Sequence, residues 1–304
     1  MRKRAFVSFL PAVVLAMIAI ALLPALNNSS AYAASNGAIS QPHMLLKNTA
    51  QKAIPQASSQ NMVYHGGPVM TGNVKVFLIF WQPAGHTFST NYKSLLQRFF
   101  QDFGQTSVFG VIHQYTNSSG GNAQTIGFGG TFTDTRAYPS RGFVVDNDLH
   151  TEVRQVSSAQ RWAVGLSSIF FVYTTADEKV CFDTTQSQCS TNVFCAYHDG
   201  FTRNGSTFLY GSIPDEQGCG IPASPNHDVS ADGSIDASSH EVMEAMSDAL
   251  PNSGWANNQT GEIGDPCAHT YGPRDANGAD VVANGHSYLI QPEWSNRVSG
   301  CSMS

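Results

Sequence analysis

The central part of the chain contains two apolar runs, and an amphipathic segment lies next to each of them. Residues 74–81 form a β-branched and aromatic run bounded by Gly72 and Pro83, which predicts a buried strand. From residue 91 to about residue 103, apolar positions recur at three- and four-residue spacing, and this period predicts an amphipathic helix. Its predicted inward positions are Leu95, Leu96, Phe99, Phe100 and Phe103.

The same alternation then repeats. Asp148 is the predicted N-cap of a second helix that runs to about Val164. The apolar run at residues 168–174 predicts a second core strand. Because two strand and helix alternations favour parallel pairing, we expect an α/β (α+β) domain with a mixed sheet. The inward positions predicted for the second helix are Leu149, Val153, Val156 and Ala163.

The N-terminal pattern differs from that of the rest of the chain. Basic residues at positions 2–4 precede an apolar segment to about residue 26 and an A-Y-A site at 31–33, which is typical of a secretory signal peptide. A membrane anchor is the alternative, because the apolar run is just long enough to span a bilayer. Residues 34–61 lack periodicity and predict a flexible leader, so 62–304 is the predicted domain. We expect a secreted protein with no stable membrane anchor after cleavage.

Cysteine usage and charge narrow the classes of protein. All six cysteines lie between Cys181 and Cys301, in a Cys-, Gly- and Asp-rich region that predicts long loops joined by disulfides. Spacing alone leaves the pairing open, and we favour Cys267 with Cys301 and Cys195 with Cys219. The net charge is −6 and the basic residues are few and scattered, so nucleic acid is not an expected partner.

The main candidate for chemistry is the segment H-E-V-M-E at residues 240–244. In the zinc helix of metallopeptidases, H-E-x-x-H, two histidines bind the metal and the glutamate is the general base. Here Glu244 replaces the second histidine. A helix from Ala237 to Leu250, capped by Asp236 and stopped by Pro251, would place His240 and Glu244 on one stripe. We therefore predict these two residues as metal ligands and Glu241 as the catalytic base.

A further ligand is expected from the segment that follows this helix. Glu262 and Asp265 are the predicted additional ligands, and Asp248 and His269 are alternatives. The alternative for the whole site is an ordinary acidic helix face, although Asp248 in the last turn would oppose the helix dipole. The acidic segment at 228–236 is predicted to be a turn that ends in the helix cap. His198, His286 and Tyr288 are weaker candidates for the site lining.

The expected cofactor is Zn²⁺, and the oxygen-rich ligand set also admits Mn²⁺ or Ca²⁺. Two carboxylates formally neutralise a divalent ion. A metal ion held by two carboxylates would therefore lower the pKa of a bound water less than an ion held by two histidines and one carboxylate.

Several segments together resemble the phosphate-induced protein 1 or EXORDIUM-like family of secreted proteins. Residues 64–72 (YHGGPVMTG) and the strand that follows are similar to the opening of that family, and 194–198 (FCAYH) is similar to a later segment but lacks one of its cysteines. The closest similarity is at 228–233 (DVSADG), 239–244 (SHEVME), 254–255 (GW) and 262–267 (EIGDPC). The resemblance implies an extracellular or wall-associated protein with a metallopeptidase-like fold. It also implies that Glu262 and Asp265 belong with His240 and Glu244.

Two functional hypotheses follow from the sequence. The first is a secreted, zincin-like metal-dependent hydrolase that acts on a peptide or cell-wall substrate. The second is a non-catalytic extracellular or cell-wall-associated protein that retains a structural metal site. A nucleophile elbow and a phosphate-binding loop are both absent from the sequence, so serine hydrolases of that type and P-loop enzymes are not indicated. Sequence alone does not predict the oligomeric state.

Overall fold

The computed structural model describes residues 44–47, 61–215 and 219–304, so the predicted signal peptide and most of the predicted leader lie outside the described residues. The strands in chain order are β1 (Met44–Leu46), β2 (Val63–Tyr64), β3 (Gly72–Trp81), β4 (Ala123–Asp134), β5 (Val144–Val145), β6 (Ser168–Thr174), β7 (Val180–Cys181), β8 (Phe194–Arg203), β9 (Ser206–Pro214), β10 (Trp255–Ala256), β11 (Val281–Ala283), β12 (His286–Tyr288), β13 (Glu293–Ser295) and β14 (Gly300–Ser302). The α-helices are α1 (Tyr92–Asp102), α2 (Ser107–Gly110), α3 (Asp146–Gln160) and α4 (Val229–Ser247), and short 3-10 helices cover Phe103–Gln105, Val111–Gln114 and Asp265–Cys267.

Six strands form one mixed sheet in the order β1-β8-β9-β6-β3-β4. β3 lies parallel to β4 and β6, and its register with β6 runs from the pair Lys75 and Ser168 to the pair Trp81 and Thr174. β6 is also parallel to β9, whereas β8 is antiparallel to both β9 and β1. The predicted α/β class with a mixed sheet is confirmed, and the zincin-like part of that prediction is not.

Helices cover both faces of the sheet. Alternate residues of β3 contribute to two separate cores, because successive side chains of a strand point to opposite faces. Val76, Leu78 and Phe80 pack with apolar residues of α1 and α4. Phe77 and Ile79 pack with apolar residues of α3 on the other side. Burial on both faces explains why β3 is a continuous apolar run in the sequence.

The first predicted helix is confirmed, and the second is displaced toward the N terminus. α1 has Asn91 as its N-cap residue, and all five predicted inward residues are buried. α3 begins after Val145, and Asp148 lies within its first turn, where its Oδ2 accepts the backbone N–H of Val145 at 2.8 Å. The predicted N-cap was therefore wrong by one turn. Ala163 lies beyond the helix end and is exposed.

Part of the predicted leader belongs to the sheet. Met44–Leu46 forms the edge strand β1, which pairs antiparallel with β8, and Leu45 is only 2% exposed. These three residues of the predicted leader are thus an edge strand of the sheet. The signal peptide and the other leader boundaries stay predictions.

Disulfides join the long loops of the C-terminal half. Bonds connect Cys181 with Cys189, Cys195 with Cys219, and Cys267 with Cys301, so both favoured pairings are confirmed. The chain after α4 adds only short ladders, which pair β10 with β2, β11 with β12, and β13 with β14. Within the described ranges, no helix has both the length and the apolar character needed to cross a membrane.

Candidate metal centre

The helix that holds the H-E-V-M-E segment is longer than predicted. α4 begins after Asp228, whose carboxylate caps it by accepting the backbone N–H of Ala231 at 3.1 Å. Asp236, the predicted cap, lies in the middle of the helix, and the predicted acidic turn is instead the first half of α4. The helix ends at Ser247, before the predicted end at Leu250. Burial of α4 in the core offsets the weak helix propensity of its Ser, Asp and Gly residues.

His240 and Glu244 lie one turn apart and are fully buried. Nε2 of His240 is 3.1 Å from Oε2 of Glu244, although the two atoms do not adopt hydrogen-bond geometry. Gly264 permits this arrangement, because a Cβ atom at that position would lie 2.6 Å from Nδ1 of His240 and 2.9 Å from Oε1 of Glu244. The Gly264 backbone N–H also donates to Oε1 of Glu244 at 3.2 Å.

The structure places Glu262, in the loop after β10, beside Glu244 and adds His198 from β8. Nε2 of His198 is 3.1 Å from Oε2 of Glu262 and 3.9 Å from Oε2 of Glu244. His198 was only a weak candidate in the sequence, although it ends the FCAYH segment that resembles the family. All three residues are fully buried.

We call the five residues His198, His240, Glu241, Glu244 and Glu262 the His/Glu centre. Its candidate ligand atoms form two sets, and the atoms of each set lie within 4.8 Å of one another. The first set joins His198, Glu244 and Glu262, and the second joins His240, Glu241 and Glu244. Glu244 belongs to both sets.

Glu241 is buried with no exposed surface. Neither of its carboxylate oxygens forms a hydrogen bond with a residue in the described part of the chain. Burial raises its pKa well above the usual value, and the His240 charge and the Leu45 backbone in β1 oppose that shift only in part. Burial likewise raises the pKa of Glu262 well above its usual range, and the charges of Glu244 and Asp248 raise it further.

Asp265 and Asp248 lie beside the centre and organise its loops. Oδ2 of Asp265 accepts the backbone N–H of Glu262 at 2.9 Å, and its Oδ1 is 3.9 Å from Nε2 of His240. Asp248 follows the last residue of α4, and its carboxylate accepts the backbone N–H groups of Gly254 at 2.6 Å and Ser253 at 3.2 Å. These hydrogen bonds stabilise the Asp248 carboxylate at the C terminus of the helix, so a bound cation is not needed to explain its position.

The remaining histidine and tyrosine candidates lie outside the centre. Nε2 of His269 is 2.7 Å from the backbone oxygen of Leu46. Nδ1 of His286 and the hydroxyl of Tyr288 contact the Asp102 carboxylate at 2.7 and 2.6 Å instead.

Sequence reasoning missed Glu293 on β13. Its side chain is fully buried, and neither carboxylate oxygen forms a hydrogen bond within the described residues. Burial raises its pKa well above the usual value, an effect that the nearby His240 charge opposes. The signal available in the sequence was a carboxylate soon after the apolar residues 288–290. Asp236 is a second neighbour of His240, and burial raises its pKa to about 6.

Among the described residues, the carboxylates of the centre are paired with histidines and not with lysine or arginine. In the described ranges, Glu241, Glu244 and Glu262 form no ion pair with lysine or arginine, and the contacts of Glu244 and Glu262 are with histidines. Burial lowers the pKa of His240, but the Glu244 carboxylate raises it well above its usual value, so a protonated imidazole is the pairing available to Glu244. Buried carboxylates beyond that pairing are costly, because the apolar interior does not solvate their charge.

Comparison with known proteins supports the resemblance drawn from the motifs. The chain is 27% identical to Protein EXORDIUM-like 3 of Arabidopsis thaliana over 288 residues, which cover 80% of this chain and 84% of the plant protein. No protein-family model matches the chain, and no solved structure matches it. The three disulfides are typical of proteins that fold outside the cytosol. The chain is therefore similar to an EXORDIUM-like protein over most of its length, and this similarity, together with the disulfides, supports an extracellular protein.

Proposed function

We propose that this protein is an extracellular metal-binding protein whose His/Glu centre holds a divalent cation as part of its structure. The observation that carries this proposal is the convergence of buried ligand atoms from three separate elements. His198 is on β8, Glu244 is on α4 and Glu262 is in a loop, yet their ligand atoms lie within 4.8 Å of one another. Imidazole nitrogens and carboxylate oxygens that converge in this way match the ligands that bind divalent metals in proteins.

The donor set and its burial favour particular metals and a structural role. Imidazole and carboxylate ligands suit Zn²⁺, and the high proportion of oxygen also admits Mn²⁺. Catalytic zinc sites keep a coordination position open for water or substrate. All five residues of the His/Glu centre have no exposed surface, so a substrate has no open path to them, and this burial favours a structural role.

Elemental analysis of the purified protein tests this proposal. We expect the wild type to retain a divalent metal after dialysis, and a His240→Ala/Glu244→Ala double variant to lose most of it. The matched control is Asp146→Ala/His150→Ala, which removes another i,i+4 pair on a helix, 3.0 Å apart and outside the centre. The control should keep the wild-type metal content. Equal metal in the wild type and the His240→Ala/Glu244→Ala variant would refute the proposal.

A second candidate function, a metal-dependent hydrolase of the peptidase type, is favoured by the state of Glu241. Glu241 directly follows His240 in sequence. Neither of its carboxylate oxygens has a hydrogen-bond partner in the described ranges. If substrate reached the centre, the metal would polarise a carbonyl group and Glu241 would accept the proton of the attacking water.

Substitution of Glu241 tests this second candidate. Under this hypothesis, Glu241→Gln abolishes hydrolysis of a peptide mixture, while metal content and melting temperature stay at wild-type values. Glu152→Gln, which changes a buried glutamate on α3, is the control and should retain activity. A wild-type protein that holds metal and cleaves nothing, or an equally active Glu241→Gln variant, would exclude Glu241 as a hydrolytic base.

A further inference from the structure

We infer that the His/Glu centre binds two divalent cations, one in each set of ligands, with the Glu244 carboxylate as a bridge between them. This inference rests on the proposed metal-binding function and adds a second cation site. The first site comprises His198, Glu244 and Glu262. The second comprises His240, Glu241 and Glu244.

The position of Glu244 between two imidazoles supports a bridge. Its Oε2 atom is 3.1 Å from Nε2 of His240 and 3.9 Å from Nε2 of His198. The two sets share Glu244, and each imidazole belongs to a different set. The ions of two-metal sites lie about 3.5–4 Å apart, and a carboxylate that is shared by both sets is placed to bridge such a pair.

The second set contains buried ligand atoms that form no hydrogen bond within the described residues. Both ring nitrogens of His240 and both carboxylate oxygens of Glu241 are buried, and none forms a hydrogen bond with a described residue. A cation bound only by His198, Glu244 and Glu262 would leave Nδ1 of His240 and the Glu241 carboxylate without a well-formed hydrogen bond, and Nε2 of His240 with only its 3.1 Å contact to Glu244. A second cation would bind at least one atom of each residue.

The local charge also favours two cations. The three ligand carboxylates, from Glu241, Glu244 and Glu262, carry three negative charges when ionised, so a single divalent ion leaves one of them uncompensated. Glu293 is a further fully buried carboxylate whose charge interacts with that of His240. Lysine and arginine do not form ion pairs with the ligand carboxylates within the described ranges. A second divalent ion would bring the total positive charge close to that of the surrounding carboxylates.

Glu241 has different roles in this arrangement and in a hydrolase with Glu241 as the base. As a ligand of the second cation, it is needed for metal binding. Glu241→Gln should therefore lower the metal content toward one ion per chain. If Glu241 acts only as a base, the same substitution leaves the content unchanged.

Metal stoichiometry tests the inference. The full chain would be stripped with chelator, loaded with Zn²⁺, dialysed and analysed for zinc per chain, with Mn²⁺ as a second probe. We expect two ions in the wild type, one in His198→Ala, one in His240→Ala and close to none in Glu244→Ala. The Asp146→Ala/His150→Ala control should hold two. Circular dichroism would check the fold of each variant, and two anomalous scattering peaks in wild-type crystals would decide the count if a variant does not fold.

The outcomes separate this inference from the function on which it rests. One ion in the wild type would overturn the second site and leave the metal-binding function intact. No retained metal would overturn both. Two ions that persist in the Glu244→Ala variant would overturn the bridge, because they would be bound elsewhere.

Discussion

Glu152 on α3 shows how a single buried carboxylic acid is accommodated away from the His/Glu centre. It is 3% exposed, and its Oε2 atom accepts a hydrogen bond from the Arg136 guanidinium at 2.8 Å. Arg136 also pairs with Asp134, so one cation serves two carboxyl groups. Burial raises the pKa of Glu152 from 4.5 to about 8, and the Asp134 carboxylate adds to that shift while Arg136 opposes it. Here an arginine is present, whereas the His/Glu centre has only histidines.

The raised pKa of Glu152 predicts a pH dependence of stability. The folded pKa lies above the unfolded value, so between 4.5 and about 8 the folded state binds more protons and its stability falls as pH rises. Glu152→Gln removes this contribution. The unfolding free energy of the variant relative to wild type should therefore rise with pH, by at most about 1.4 kcal/mol per pH unit. Urea unfolding of both proteins at about pH 5 and about pH 8 measures the difference, and a pH-independent value would contradict the prediction.

At the scale of elements, α4 and the loop at residues 262–265 must pack closely to form the centre. The loop approaches the helix at Gly264. Its dihedral angles (φ −81°, ψ −36°) are accessible to any residue, so glycine is needed there because it has no side chain. Gln291 supports the same loop, because its side-chain amide donates to the Gly264 carbonyl at 3.0 Å. Its backbone N–H donates to Asp236 on α4 at 2.8 Å, so one residue links the loop to the helix.

Gly264→Ala is expected to lower both stability and metal content. The added methyl group would overlap the His240 ring and the Glu244 carboxylate, and overpacking of this kind costs about 1–3 kcal/mol. The matched control is Gly233→Ala in α4, where the nearest atom to a new Cβ is 4.0 Å away. That variant should be neutral or more stable by about 0.5–1 kcal/mol. Thermal unfolding and metal analysis compare the two, and equal behaviour would show that Gly264 does not limit the packing.

At the scale of the whole molecule, a segment far from the centre in sequence helps to cover it. β1 extends the sheet beyond β8, and the Leu45 backbone lies close enough to Glu241 to lower its pKa. The backbone oxygen of the next residue, Leu46, contacts His269. The disulfide between Cys195 and Cys219 joins β8 to the loop after β9, and the one between Cys267 and Cys301 joins the segment after Asp265 to β14. Segments near both ends of the described chain are therefore linked to the elements that carry the centre.

Leu45→Ala tests whether β1 is part of the stable fold. Leu45 is 2% exposed, so truncation should reduce the free energy of unfolding by about 2–5 kcal/mol, as for other core leucines. The control is Val63→Ala on β2, where the side chain is 58% exposed and a change within about 0.5 kcal/mol is expected. Denaturant unfolding of the full mature chain measures both. An unchanged stability in Leu45→Ala would mean that the segment acts as the flexible leader predicted from the sequence.

Local pattern by itself determined the two core strands, α1 and the position of the H-E-V-M-E segment on a helix. Burial of one stripe of a helix leaves a periodic apolar signal, and burial of both faces of a strand leaves a continuous apolar run. The start of α4 was not predictable in this way, because its first turns contain weak helix formers that are stabilised only by burial in the core. The membership of β1 in the sheet was similarly hidden, since its partner strand lies much later in the chain.

The sequence determined which chemistry is present, namely carboxylates and imidazoles in a chain predicted to be exported and to form disulfides. Only the tertiary structure decided which of them meet. His198 and Glu262 are 64 residues apart and approach to 3.1 Å, whereas His286 and Tyr288 lie nearer to Glu262 in sequence and contact Asp102 instead. The reason is physical: the pairing of β8 in the sheet and the packing of a loop on α4 bring these atoms together, and no local sequence period records a contact between distant elements.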